Sequence, residues 1–124
     1  MARQTTQFII DTEHDYWTHE PSVIQIQFIH TNSVVLLVEI FHLPPHSSVL
    51  FWLIRSLLKV VFQPANVLFA WVDLLFELSD FVHSALFSFD AICQMNTIDV
   101  QCCFKEWYNQ RFPHTCGLGA LQDD

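Results

Sequence analysis

Glycine is almost missing from this chain, with two in 124 residues. The only Gly-x-Gly, at Gly117 and Gly119, lacks a third glycine in place. A glycine-rich phosphate cradle, whether Walker loop or dinucleotide fingerprint, is therefore excluded. Positive charge is scarce as well. Five Lys and Arg face 13 Asp and Glu, for a formal charge of −8, which argues against a broad basic surface for nucleic acid. An acidic site that recruits metal ions remains compatible with that balance. No Cys-x-x-Cys occurs among Cys93, Cys102, Cys103 and Cys116. A zinc site from Cys93, Cys102 or Cys103, His114 and Cys116 is conceivable, but buried thiols in a reducing compartment are the better reading. Long apolar runs are missing too. The stretch from Val49 to Leu78 is interrupted by Arg55, Lys59, Gln63, Pro64, Asn66 and Asp73, short of the roughly 18 continuous apolar residues of a spanning helix. It reads as core, not membrane. The N-terminal apolar run is too short for a signal peptide, so the expectation is an intracellular protein, nuclear or cytoplasmic.

What is present is material for one well-packed domain over residues 1–124. The apolar fraction is 52% and the charged fraction 15%, with 12 Phe and 4 Trp, a composition too apolar for disorder. Residues 7–12 read as a first strand. Val23 to Ile29 alternates, with Ile24, Ile26 and Phe28 on one face and Gln25 and Gln27 on the other, as in a half-buried strand. Val34 to Ile40 is a third strand, and the three make a meander. After Pro44-Pro45, Ser48 is placed to cap a helix over Val49 to Phe62. Gln63 to Asn66 breaks it, Val67 to Trp71 is a short buried strand, and Asp73 opens a helix with Leu74, Leu75, Leu78, Phe81 and Val82 on one face. Phe89 to Asn96 is ambiguous. Asn96 to Asp99 looks like a short extended piece and cap, leading to a helix with Phe104, Trp107 and Tyr108. The residues from Gly117 onward look like the start of a further helix. The expected fold is α/β with a mixed sheet, its first and fourth strands adjacent near the centre.

Function points to Phe8-Ile9-Ile10-Asp11-Thr12-Glu13. A strand has a side-chain period of two, so Asp11 and Glu13 project from one face. Two such carboxylates repel unless a cation lies between them, and hard oxygen donors suit Mg²⁺ or Mn²⁺. The plainer alternative is a strand leaving the core into solvent. With the fourth strand beside the first, Asp73 is expected to converge on the same end of the sheet. Its plainer alternative is a carboxylate at a helix N-terminus, where the dipole favours it.

Those residues carry a resemblance. Phe8 to Glu13, followed by Pro21-x-x-Ile24-Gln25-Ile26, resembles the first motif of the DEDD-type 3′–5′ exonucleases, in the ribonuclease D-like branch that includes the Werner helicase exonuclease domain. Leu68 to Asp73 with Leu78 resembles the second motif, and Ile98-Asp99-Val100-Gln101 resembles a further Asp-x-Gln feature. The resemblance implies a ribonuclease H-like mixed sheet with two bound Mg²⁺ or Mn²⁺ ions. Asp11 would bridge both, Glu13 would hold the ion that activates water, and Asp73 would bind the other. The substrate implied is the 3′ end of single-stranded DNA or RNA, met by Thr12, His14, Tyr16 and Trp17. For Tyr16 and Trp17 the alternative is packing at the sheet edge, for His14 and His19 a solvated or structural role, and Asp99 is read as a helix cap. The family's last motif, a helix with Tyr or His and an Asp a few residues on, is not matched: Asp123 and Asp124 come too early. The chain is then either an exonuclease domain truncated before its last helices, with one sheet face uncovered, or a catalytically degenerate domain that binds nucleic acid or protein. A small interaction domain with acids placed by chance is the third reading.

Overall fold

A computed structural model of the chain describes residues 6–113. Its centre is a five-stranded mixed sheet: β1 (Gln7–His14), β2 (Pro21–Phe28), β3 (Val35–Glu39), β4 (Val67–Ala70) and β5 (Asn96–Asp99), in the order β3-β2-β1-β4-β5. The first three strands form an antiparallel meander, while β4 lies parallel to β1 and β5 parallel to β4. The first and fourth strands are neighbours, as the sequence predicts. The extended piece at Asn96 to Asp99 is a full partner of β4, with Val67 opposite Asn96 and Ala70 opposite Asp99.

Register follows the hydrophobic alternation. Phe8 lies opposite Phe28, and Ile10 opposite Ile26, in the β1–β2 ladder. These four side chains are buried on one face of the sheet, and the Phe8 and Phe28 rings meet edge to face at 5.2 Å. A slip of one residue would turn every one of them to the other face. Four helices are present among the described residues: α1 (Val49–Val61), α2 (Leu74–Ser79), α3 (Phe89–Cys93) and α4 (Val100–Arg111). Phe51, Leu58 and Val61 of α1, Leu74 and Leu78 of α2, and Ile92 of α3 join the buried sheet residues in one core. Burying each such side chain stabilises the fold by roughly 1.5–3 kcal/mol. No helix of the described residues is long and apolar enough to cross a membrane.

Helix starts are marked by oxygen caps. Ser48 accepts from the Phe51 N–H, Asp73 from Phe76, Ser88 from Ala91 and Asp99 from Cys102. The helix opened by Asp73 is shorter than its apolar spacing predicts. It ends at Ser79, and a 3-10 turn over Val82–Ser84 follows, closed by Ala85 at φ 64°.

The other face of the sheet is open. Ile9, Val35, Leu37 and Trp71 are exposed there, and α4 approaches it through Phe104, whose ring lies 6.3 Å from that of Trp71. Weak engagement of α4 also corrects the expectation for the thiols. Cys93, Cys102 and Cys103 are exposed free cysteines, because the last two sit on a helix that buries no residue. Cys116 and His114 lie outside the described residues, as do Asp123, Asp124 and the helix start expected from Gly117.

At the junction of α1 and β4, Asn66 is buried at 2% exposure. Its side-chain amide donates to the carbonyls of Val60 (2.8 Å) and Val61 (3.1 Å), adding a buried donor at the end of α1, where carbonyls run short of helical partners. Asn66→Ala is expected to lower stability by about 1–3 kcal/mol, read as a lower urea midpoint at unchanged slope. An unchanged midpoint would contradict this role.

Candidate functional site

The two faces of β1 separate the candidate residues into two groups. Gln7, Ile9, Asp11 and Glu13 point to the open face and are exposed; Phe8, Ile10, Thr12 and His14 point toward the helices. Asp11 and Glu13 therefore stand side by side at the carboxyl end of the central strand. The ladder to β2 shifts register between Glu13 and His14, a bulge-like irregularity of the kind that re-aims side chains at a strand end. Asp11 Oδ1 accepts from the Thr12 N–H at 2.9 Å.

Thr12 and His14 are engaged on the side away from the acids. The Thr12 hydroxyl donates to Glu77 Oε2 at 3.0 Å. His14 Nε2 lies 3.5 Å from Asp80 Oδ2, and its ring meets Phe81 edge to face at 5.8 Å. Both side chains fasten β1 to α2 and the turn after it, rather than facing a ligand beside Asp11. The same period of two that pairs Asp11 with Glu13 assigns Thr12 and His14 to the opposite face. Glu77 and Asp80, the partners missed from sequence, were hidden because their contacts cross more than sixty residues of chain.

Asp73 is tied to α2. Its Oδ1 accepts from the Phe76 N–H at 3.4 Å, the capping role that a carboxylate fills at a helix start. Among the described residues, no three His, Cys, Asp or Glu side chains are gathered closely enough to hold a metal ion. The expected convergence of Asp11, Glu13 and Asp73 into one cluster is thus not formed: β4 ends at Ala70, and Trp71 and Val72 separate its last paired residue from the cap. Asp11 and Glu13 fit a hard divalent cation in donor type, with the third carboxylate standing apart.

Beyond Glu13 the chain makes a tight loop. Asp15 Oδ1 accepts from the backbone N–H groups of Trp17 and Thr18, both at 2.9 Å, and His19, at φ 60°, returns an N–H to the Asp15 carbonyl. Hydrogen bonds from Thr18 and then Trp17 hold the Asp15 carboxyl below its ordinary range. A lowered folded-state pKa contributes stability above the unfolded value, lost as pH falls through the folded one, so this loop loosens on the acid side. It holds Tyr16 and Trp17 at 79% and 84% exposure, touching each other edge to face at 4.9 Å. Packing at the sheet edge does not occur; both rings are presented to solvent. On the open sheet face, a hollow of about 450 Å³ is lined by Ile9, Ile29, Phe69, Trp71 and Val100. The sequence places Trp71 at the end of a buried strand; in the structure β4 ends at Ala70 and the Trp71 ring is exposed on this face.

Asp99 serves as the cap of α4 and also acts on Cys102. Its carboxylate accepts from the thiol, and together with their direct charge repulsion this pushes the Cys102 thiol above its ordinary pKa. Asp99→Asn removes the charge and keeps a capping oxygen. Iodoacetamide labelling at pH 8, followed by mass spectrometry, is expected to be faster at Cys102 in that variant and unchanged at Cys93; equal rates at Cys102 would contradict the assignment. Compared with protein-family models, curated proteins and solved structures, the chain matches none.

Proposed function

We propose that this chain is a 3′–5′ exonuclease-like domain with a ribonuclease H-like sheet, taking the 3′ end of single-stranded DNA or RNA at the carboxyl end of β1. The observation that carries the reading is the position of Asp11 and Glu13. They are successive outward residues at the end of the central strand, flanked by antiparallel β2 on one side and parallel β4 on the other. In open α/β sheets, ligands bind beyond the carboxyl ends of strands where the winding reverses. The antiparallel meander with β4 parallel to β1 supports the ribonuclease H-like reading, which puts the first and fourth strands side by side.

Asp11 and Glu13 would hold Mg²⁺ or Mn²⁺, of which the family resembled binds two, while Asp73 caps α2 and is not gathered with them. A bound ion supplies Lewis acidity and an activated water for phosphodiester hydrolysis. The chain's own residues supply position. Tyr16 and Trp17 offer exposed rings for unpaired bases, a contact worth about 1–3 kcal/mol per base. Thr12 and His14 steady the strand end through Glu77 and Asp80. With only five cations in the chain, stacking and metal-bridged phosphate contacts carry more of the binding than a basic groove does.

One observation favours a second reading, a catalytically degenerate domain that retains binding. Asp73 spends its carboxylate on the Phe76 N–H instead of joining the other two acids. The deciding experiment is Mn²⁺-dependent trimming of 5′-labelled single-stranded DNA and RNA by the full chain. The exonuclease reading expects a ladder shortening from the 3′ end, reduced at least about 100-fold in Asp11→Asn. Binding without shortening, lost in Trp17→Ala, would favour the degenerate domain. Neither cleavage nor binding would overturn both and leave a small interaction domain.

A further inference from the structure

We infer that the hollow between α1 and α3, remote in sequence from the acid pair, binds a small organic anion: one phosphate or carboxylate carried on an apolar body. The hollow has a volume of about 410 Å³, within the usual range for small-molecule sites. Its lining is divided by chemistry. Arg55 and Lys59 come from α1, Phe62, Leu86 and Phe87 supply apolar surface, and Gln94 is on the α3 side. Residues four apart share one side of a helix, so the two cations are presented together. They are two of only five Lys and Arg in a chain with 13 acids, yet neither pairs with a carboxylate among the described residues. In so acidic a protein, two neighbouring cations without a carboxylate partner leave an anion-seeking site.

Each cation also has a structural task, and neither task uses it up. Arg55 donates through one terminal nitrogen to the carbonyl of Ala85 and lies over the Trp52 ring at 5.4 Å. That bond steadies the turn in which Ala85 takes a left-handed conformation, and it leaves other donors of the guanidinium fork. Lys59 complements the dipole at the end of α1, with an exposed head. Buried Phe62 and Phe87, edge to face at 5.4 Å, give the hollow a firm apolar floor. A bare inorganic anion would leave that floor unused, and a neutral apolar molecule would leave both cations unused. The pair together selects an amphipathic anion.

Phenyl phosphate and benzoate distinguish the two kinds of head group, with inorganic phosphate and benzyl alcohol as single-feature controls. Each is titrated into the full chain while the Gln63 and Gln94 side-chain amides are followed by NMR. At least one of the two amphipathic anions is expected to saturate with Kd below about 1 mM, and each control to bind about tenfold more weakly or worse. Lys59→Gln, at an exposed head, is expected to weaken that probe about tenfold. Ala91→Leu, which fills the hollow without changing charge, is expected to do the same. Arg55 is left intact because of its bond to Ala85. Failure of both probes to saturate wild type below about 10 mM would overturn the inference, as would shifts centred away from Gln63 and Gln94. The wild-type titration is decisive even if a variant folds poorly. The site stands or falls separately from the exonuclease reading.

Discussion

Burial of Phe8 and Ile10 beneath the helices sets which way β1 faces, and that single constraint decides the direction of every candidate residue on the strand. Both side chains are at most 2% exposed, and their partners Phe28 and Ile26 on β2 are locked by the same core. Rotating the strand to turn Asp11 or Glu13 inward would expose two large apolar side chains and bury charge, each costly on its own. The acids are therefore held outward by hydrophobic burial, to which Asp11 adds only a local bond from the Thr12 N–H. The cation they would attract has no part in building the fold.

The same constraint explains the division of labour around the strand end. Because Thr12 and His14 face the helices, α2 can be fastened to β1 from below by Glu77 and Asp80, while Asp11 and Glu13 stay exposed on the open side. Asp73 stands at the start of that same helix, so its capping bond and the contacts from β1 together fix where α2 begins. Past Glu13, the Asp15 loop turns the chain sharply and keeps Tyr16 and Trp17 in solvent. In the function proposed above, this strand end with its acids and the tightly turned loop with two bare rings together meet the 3′ end of the strand. A separate set of exposed aromatics lies on the open sheet face and α4, where Trp71 meets Phe104.

Most of the architecture was legible because it is local. Alternation in Val23 to Ile29, the serine before Val49, the Gln63-Pro64 break and the apolar run at Val67 each announce their element within a few residues. β5 was harder. Asn96 and Thr97 are polar and the strand has four residues, so its standing comes from pairing with β4, a contact that sequence periodicity does not record. The acid pair was legible from the period of two, and so were the opposite directions of Thr12 and His14 once that period is applied to them. The gathering of Asp73 with the pair was not, since a carboxylate before a helix serves equally as a cap, and the structure has it as one. The cysteines misled for a related reason: burial of a helical residue depends on how much of the helix finds a partner, and α4 finds little.

The proposed site depends on Asp11 and Glu13 forming a cation-seeking pair at the end of β1. Paramagnetic broadening of amide NMR signals by substoichiometric Mn²⁺ tests this most directly, because it locates the ion without requiring catalysis. The prediction is broadening centred on Asp11 to Glu13 and on Gln25 and Val23, which lie opposite them in the sheet, and its loss in Asp11→Asn. Broadening centred on other acids, or spread evenly over the chain and unchanged by that substitution, would contradict it.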